Sequence, residues 1–294
     1  MRLTPWILGL LACATTGFAA QPCRIEIVEK GDGWPVPGVE LRTIHGSRFI
    51  SDNAGLIAFD LPELMGRETW FSVHGHGYGV KADGFGYAGV RLTPIAGKTL
   101  KVTVERTILA RRLGRLTGAG LFAESQKLGE QLDWKESGVL GSDSVVTAKL
   151  GGKLLWFWGD TNLGHYPLGI FNVSAASTEQ FVPPAKPPLR PPFTYVSERK
   201  TAQGELRPRG VAKVPGDGPT WIWGAITLPD AKGAPHLVAA AVKTKSEMHA
   251  YRWDLVEWDP HEELFHPIDT VWTENAANPK APPMPEGHAV PWTD

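Results

Sequence analysis

Apolar and polar positions alternate with a period of two over short runs, and turn-forming residues separate the runs. Arg24-Ile25-Glu26-Ile27-Val28 sets the pattern. Val39-Glu40-Leu41-Arg42-Thr43 follows the turn Val36-Pro37-Gly38, and Leu56-Ile57-Ala58-Phe59 follows Ser51-Asp52-Asn53-Ala54-Gly55. Thr69-Trp70-Phe71-Ser72-Val73 and Leu100-Lys101-Val102-Thr103-Val104 complete a first set. Residues two apart on a strand share a face, so a run that alternates buries one side of a sheet. No part of this stretch carries the 3.6-residue period of an amphipathic helix. Residues 21–106 therefore read as a small β-sandwich.

Residues 107–140 read as a linker and the start of a second domain. The basic run Arg111-Arg112-Leu113-Gly114-Arg115-Leu116 fits a short helix or linker strand with a solvated face. Residues 141–294 return to strands. Gly141 to Lys149 is one, Gly151-Gly152 a tight hairpin turn, and Lys153-Leu154-Leu155-Trp156-Phe157-Trp158 the return strand. Gly159-Asp160-Thr161 closes it, and Ile170 to Ala176 supplies a third strand. Trp221-Ile222-Trp223-Gly224 then repeats the Trp-x-Trp-Gly of Trp156 to Gly159, 221 − 156 = 65 residues later. Leu237 to Val242 and Tyr251 to Trp258 follow it as further strands. A repeated β-meander is how a propeller is written in sequence. The proline-rich stretch 182–192 between the copies cannot be regular sheet. His288-Ala289-Val290-Pro291-Trp292 reads as the first strand of a third blade. A closed ring needs at least about four blades. The expectation is thus an all-β chain: signal peptide, sandwich, then a partial, truncated propeller of about two blades.

The first twenty residues change the picture of location. One positive charge at Arg2, the apolar run Trp6 to Ala12 and the small residues Ala14 to Ala20 form the three regions of a secretory signal. The apolar run is shorter than the roughly 20 residues that span a bilayer, so no membrane span is expected. Cleavage after Ala19 is one outcome. Leu10-Leu11-Ala12-Cys13 also resembles a bacterial lipobox, which would place a lipid anchor on Cys13. The expected location is secreted, periplasmic or cell-surface. Removing the signal leaves Cys23 alone, so no disulfide staples the mature fold. The net charge of −1 gives no footprint for nucleic acid. Tryptophan is abundant, at 12 residues, and serves either as β-core filler or as a stacking surface for sugars.

Two resemblances extend this reading. Val36-Pro37-Gly38-Val39-Glu40-Leu41, the block Ser51 to Phe59, and Trp70-Phe71-Ser72-Val73-His74-Gly75-His76-Gly77-Tyr78 resemble the carboxypeptidase-regulatory, transthyretin-like sandwich. That resemblance covers about 80 residues and implies an accessory module rather than a peptidase. Ser142-Asp143-Ser144-Val145, Gly151-Gly152, Leu155 to Thr161 and Tyr166-Pro167-Leu168-Gly169 resemble the opening blade of five-bladed, glycoside-hydrolase-like propellers, nearest to the DUF4185 group. This second resemblance implies a polysaccharide as partner and Asp143 as a first carboxylate.

Glycoside hydrolysis needs two carboxyl groups about the scissile bond, one protonated and one ionised. Asp143 at the start of an inner strand and Asp160 after its neighbour are the first candidates. Glu286 and Asp294, flanking the third inner strand, are the others. An Asp beside Gly or Ser also caps turns through its own hydrogen bonds. Trp156, Trp158 and Trp292 are candidate substrate-binding rings, with Trp156 and Trp158 on one strand face and Phe157 on the other. His74 and His76 share a strand face and could ligate a metal, but no third ligand stands near them in sequence. No metal or other cofactor is expected. Serine-hydrolase, zincin, phosphate-loop and dinucleotide motifs are missing, which removes those enzyme classes.

Overall fold

The computed structural model describes residues 21–118, 123–132, 138–163, 172–179, 186–199, 206–283 and 287–292. The signal and Cys13 lie outside the described residues, as do Tyr166 to Gly169, Glu286 and Asp294. The fold is almost entirely β, and among the described residues no helix is long and apolar enough to cross a membrane.

Eight strands form the N-terminal part: β1 (Cys23–Glu29), β2 (Glu40–Thr43), β3 (Arg48–Ile50), β4 (Leu56–Phe59), β5 (Thr69–His74), β6 (Tyr78–Gly79), β7 (Gly89–Leu92) and β8 (Thr99–Arg106). They pair into two four-stranded sheets, ordered β4-β1-β8-β6 and β3-β2-β5-β7. Strand β1 is antiparallel to β4 and parallel to β8. The period-two alternation sends Cys23, Ile25 and Ile27 inward, where they meet Leu41, Phe71 and Val73 of the facing sheet. Phe59 and Phe71 cross edge-to-face at 5.7 Å, joining the two sheets. Cys23 is a free, buried thiol in this core.

The same alternation buries Glu29, the last residue of β1, at 6% exposure. A buried carboxylate must be paired. Arg106 reaches it at 3.0 Å and Arg111 at 3.2 Å, and Arg111 also lies over the Trp34 ring. The basic run is therefore tethered through Arg111 while Leu113, Arg115 and Leu116 stay exposed, and it forms neither helix nor strand. The turn Ser51 to Gly55 fixes the chain further along. Asp52, 3% exposed, accepts the Ser125 N–H at 2.7 Å, which anchors the one-turn helix α1 (Glu124–Lys127). Asn53 accepts the Arg115 N–H at 2.8 Å and donates to the Leu189 carbonyl at 2.9 Å.

The C-terminal part contains β9 (Gly141–Ser142), β10 (Val145–Leu150), β11 (Lys153–Trp158), β12 (Thr161–Asn162), β13 (Ser174–Thr178), β14 (Thr194–Tyr195), β15 (Ser197–Arg199), β16 (Leu206–Pro208), β17 (Thr220–Pro229), β18 (Pro235–Lys245), β19 (His249–Asp259) and β20 (Leu264–Thr273). Two four-stranded antiparallel meanders dominate, β10-β11-β13-β14 and β17-β18-β19-β20. Gly151 and Gly152 turn β10 into β11 at φ +57° and +79°, the left-handed pair that a type I′ hairpin requires. The meanders share one core. Val146, Ala148, Phe157 and Ala175 of the first pack on Ile222, Leu237, Val256, Trp258 and Phe265 of the second. Their first strands adjoin, and Thr227 Oγ1 of β17 donates to the Lys149 carbonyl of β10 at 2.5 Å.

Several strand expectations need correction. The two Trp-x-Trp-Gly copies are not equivalent, because the first lies on the second strand of its meander and the second on the first strand. Alternation alone made them look alike: each sends Phe157 or Ile222 into the shared core and its tryptophans to the other face. Among the described residues the third strand begins at Ser174, after Val173 at φ +54°; Ile170 and Phe171 lie outside the described residues. Residues 288–292 form no strand; Val290 and Trp292 are exposed.

Candidate functional site

The first strands of the two meanders leave a cleft between them at the end where each begins. Asp143, Trp158, Asp160, Trp221, Trp223 and Met248 stand around it, over a floor that includes Phe157 and Ile222, and it encloses about 210 Å³. Asp143 and Asp160 meet there because β9 and β12 pair beside it, with Ser142 opposite Thr161. Ser144, at φ +22°, interrupts the chain between β9 and β10 and turns Asp143 toward its partner. The Asp143 N–H donates to the Asp160 carbonyl at 3.1 Å, and the Asp160 N–H returns to Asp143 Oδ1 at 3.0 Å.

Gly159 permits that approach. A Cβ there would overlap Asp143 Oδ1 and Ser144 Oγ, so with any other residue one or both of these side chains would have to move from their present positions. Thr161 then locks the strand end. Fully buried, its hydroxyl lies 2.6 Å from Ser174 Oγ and 3.1 Å from Ser142 Oγ. Gly159-Asp160-Thr161 thus acts as one unit: a close approach, a carboxyl aimed at the cleft, and an anchor.

Electrostatics separate the two acids. Asp143 is exposed, and its Oδ1 also accepts the Ser144 hydroxyl at 3.2 Å. Asp160 is half-buried, and burial raises its pKa above the usual aspartate value. The nearby Asp143 charge acts in the same direction, while the Trp221 indole N–H, donating to Asp160 Oδ1 at 3.1 Å, opposes both. The pair consequently holds one carboxyl biased toward its protonated form beside an exposed one.

The tryptophans divide between cleft and core. Trp156 is buried, donates its indole N–H to Thr178 Oγ1 at 2.9 Å, and stacks on Trp158 with 6.2 Å between ring centroids. It does not border the cleft. Trp158 is 3% exposed, borders the cleft and stacks on Tyr195. Trp221 and Trp223, half-buried, form the aromatic wall, and Trp223 packs on Trp253 at 5.1 Å. Trp292, 85% exposed, lies outside the cleft lining. Sequence reasoning placed Trp221 and Trp223 only as a repeat. They stand near the start of β17, the strand that adjoins β10, and only that packing makes them site residues.

A second and larger cleft, about 840 Å³, opens at the opposite strand ends between the Gly151 turn and the β19–β20 turn. Two of its histidines pair with carboxylates. His236 Nδ1 hydrogen-bonds Glu257 Oε1, and His266 Nε2 lies 3.0 Å from Glu262 Oε2. Among the described residues, Asp259, Glu262 and His266 are the group whose donor atoms, within 4.8 Å of one another, have metal-ligand types. All three are at least partly exposed, and Asp259 Oδ1 already accepts the N–H groups of His261 and Glu262. His74 and His76 belong to no such group: β5 ends at His74, whose ring nitrogen lies 3.0 Å from Ser72 Oγ, and Gly75 begins a turn.

No protein-family model matches the chain, and no characterised protein matches it in sequence. Among solved structures, the Bacillus anthracis TIE protein is similar over 92% of this chain, at 10% identity and a TM-score of 0.21. The chain spans 49% of that protein's length.

Proposed function

We propose that this is an exported carbohydrate-active protein whose Asp143/Asp160 cleft hydrolyses a glycosidic bond in a polysaccharide. The observation that carries the reading is a half-buried carboxyl with a raised pKa set beside a second, exposed carboxyl in an aromatic cleft. Asp160, whose proton burial helps to hold, would donate to the departing glycosidic oxygen. Asp143 would activate water or attack the sugar carbon from the other side. Trp221 and Trp223 offer the flat apolar faces on which sugar C–H groups stack. The resemblance of the Asp143–Thr161 segment to the opening blade of glycoside-hydrolase-like propellers supports the same substrate class. In this proposal the meanders are two propeller blades, residues 21–106 are an accessory sandwich, and the leader exports the chain. Glu286 and Asp294 remain proposed further carboxylates, and Trp292 a proposed outer sugar contact.

The test is a polysaccharide screen that follows released reducing ends, with Asp143→Asn and Asp160→Asn beside the wild type. Either substitution should cost at least about a hundredfold, the usual range for removing a general acid or base. Full turnover in both variants would remove the assignment.

A second reading has one observation in its favour. Asp143 Oδ1 accepts the Asp160 N–H and the Ser144 hydroxyl, the bonding of an aspartate that caps a turn. The cleft would then hold a glycan without cleaving it. Binding with no product, unchanged by Asp143→Asn, would favour that reading.

A further inference from the structure

We propose that Trp221 is a positioning residue for Asp160: it reaches across from the neighbouring meander, holds that carboxyl in the cleft, and sets the pH range over which the site keeps its proton. The inference rests on the reading of Asp143 and Asp160 as the functional pair. Trp221 stands on β17 and Asp160 follows β11, 61 residues earlier, so their 3.1 Å hydrogen bond joins the two sheets across the cleft. The indole is itself held in place. Trp221 packs against the cluster of Val242, Trp253 and Trp272 on the second meander, and Trp223 belongs to the same cluster.

The chemistry of the donor fixes the sign. An indole N–H only donates and does not titrate, so it favours the ionised carboxylate at every working pH. Burial and the Asp143 charge favour the protonated form. An acid catalyst must lose and regain its proton in each cycle, and a carboxyl locked in either state cannot. Trp221 supplies the opposing pull, and it does so only while the two meanders stay in register.

Two rival roles make different predictions. As a plain wall or sugar platform, Trp221 would act through its ring face, and its N–H would not matter. Trp221→Phe keeps an aromatic ring and removes the donor. Carboxyl carbon NMR of the full chain, with the Asp160 signal identified by its loss in Asp160→Asn, should then show the Asp160 midpoint at higher pH than in the wild type. If the chain turns over polysaccharide, the basic limb of the pH profile should move upward with it. Wild-type protein gives an independent reading. The Trp221 indole N–H resonance should titrate with the Asp160 midpoint and stop doing so in Asp160→Asn. An unmoved midpoint in Trp221→Phe, or an indole signal indifferent to the titration, overturns the proposal. Both measurements need no substrate, so a protein that cleaves nothing would defeat the hydrolase reading and leave this one separately decided.

Discussion

Truncating Phe157 to alanine probes whether the two meanders share one core. The ring is 1% exposed, and its nearest aromatic neighbours belong to the other meander: Phe265 at 4.9 Å and Trp258 at 5.2 Å between centroids. Removing a buried phenylalanine ring costs about 3–5 kcal/mol, from lost transfer energy and the cavity left behind. Each of the two aromatic pairs contributes about 0.5–1.5 kcal/mol within such a loss. Packing between sheets is rigid, so the cavity should collapse only partly, and about 4 kcal/mol is the expected cost. At about 2–4 °C per kcal/mol for a chain this size, the melting transition should fall by roughly 8–16 °C. Urea unfolding followed by tryptophan fluorescence measures the free energy, and calorimetry measures the shift. Phe157→Leu, which refills much of the volume, should recover most of it. A loss below about 1 kcal/mol for Phe157→Ala would refute the shared core, since a ring in contact with one sheet alone could be removed more cheaply.

Other consequences follow from single side chains. Asp52 accepts N–H groups from Ala54 at 2.9 Å, Leu56 at 3.0 Å and Ser125 at 2.7 Å while nearly buried, so Asp52→Ala should cost about 3 kcal/mol or more in denaturant titration. Asp52→Asn keeps one acceptor oxygen and should cost less. Gly159→Ala places a methyl group against Asp143 Oδ1 and Ser144 Oγ, both exposed side chains that can move aside; stability should fall by no more than about 1 kcal/mol, while any glycan turnover that needs the Asp143 carboxyl in place should drop. Glu257 holds a proton on His236 and, with Asp230, raises its pKa above the usual histidine value of about 6.5. The folded state therefore binds that proton more tightly than the unfolded chain. The stabilisation is complete below the unfolded value and is lost as pH rises through the folded one. Melting temperature in the wild type should decline across that window, and His236→Gln should flatten the decline.

Much of the fold was written in local pattern. The alternation of residues 24–28 located β1, the turn Ser51 to Gly55 ahead of an apolar run located β4, and the Gly-Gly turn located the β10–β11 hairpin. Short strands were harder to see. Strands β3 and β7 have three and four residues, too few for alternation to rise above chance, and they form only by pairing with β2 and β5. The role of Arg111 was not legible because its partners, Glu29 and Asp32, are about 80 residues away and pattern carries no long-range contact. For the site, the proximity of Asp143 and Asp160 was legible because Gly159 and the hairpin bring strand ends together. Trp221 was not, since its bond to Asp160 exists only once two meanders have packed. Trp156 could be read from sequence as core filler or as a sugar platform; its indole N–H is satisfied by Thr178 within the core.

The central claim is that Asp160 works as a proton donor in a glycan cleft. Its most direct test is the release of reducing ends from a panel of polysaccharides by wild-type protein and by Asp160→Asn, at matched folding and over a range of pH. The account predicts release by the wild type, falling as pH rises through the Asp160 midpoint, and a loss of at least about a hundredfold in the variant. Equal release by both proteins, with the same pH profile, would contradict it.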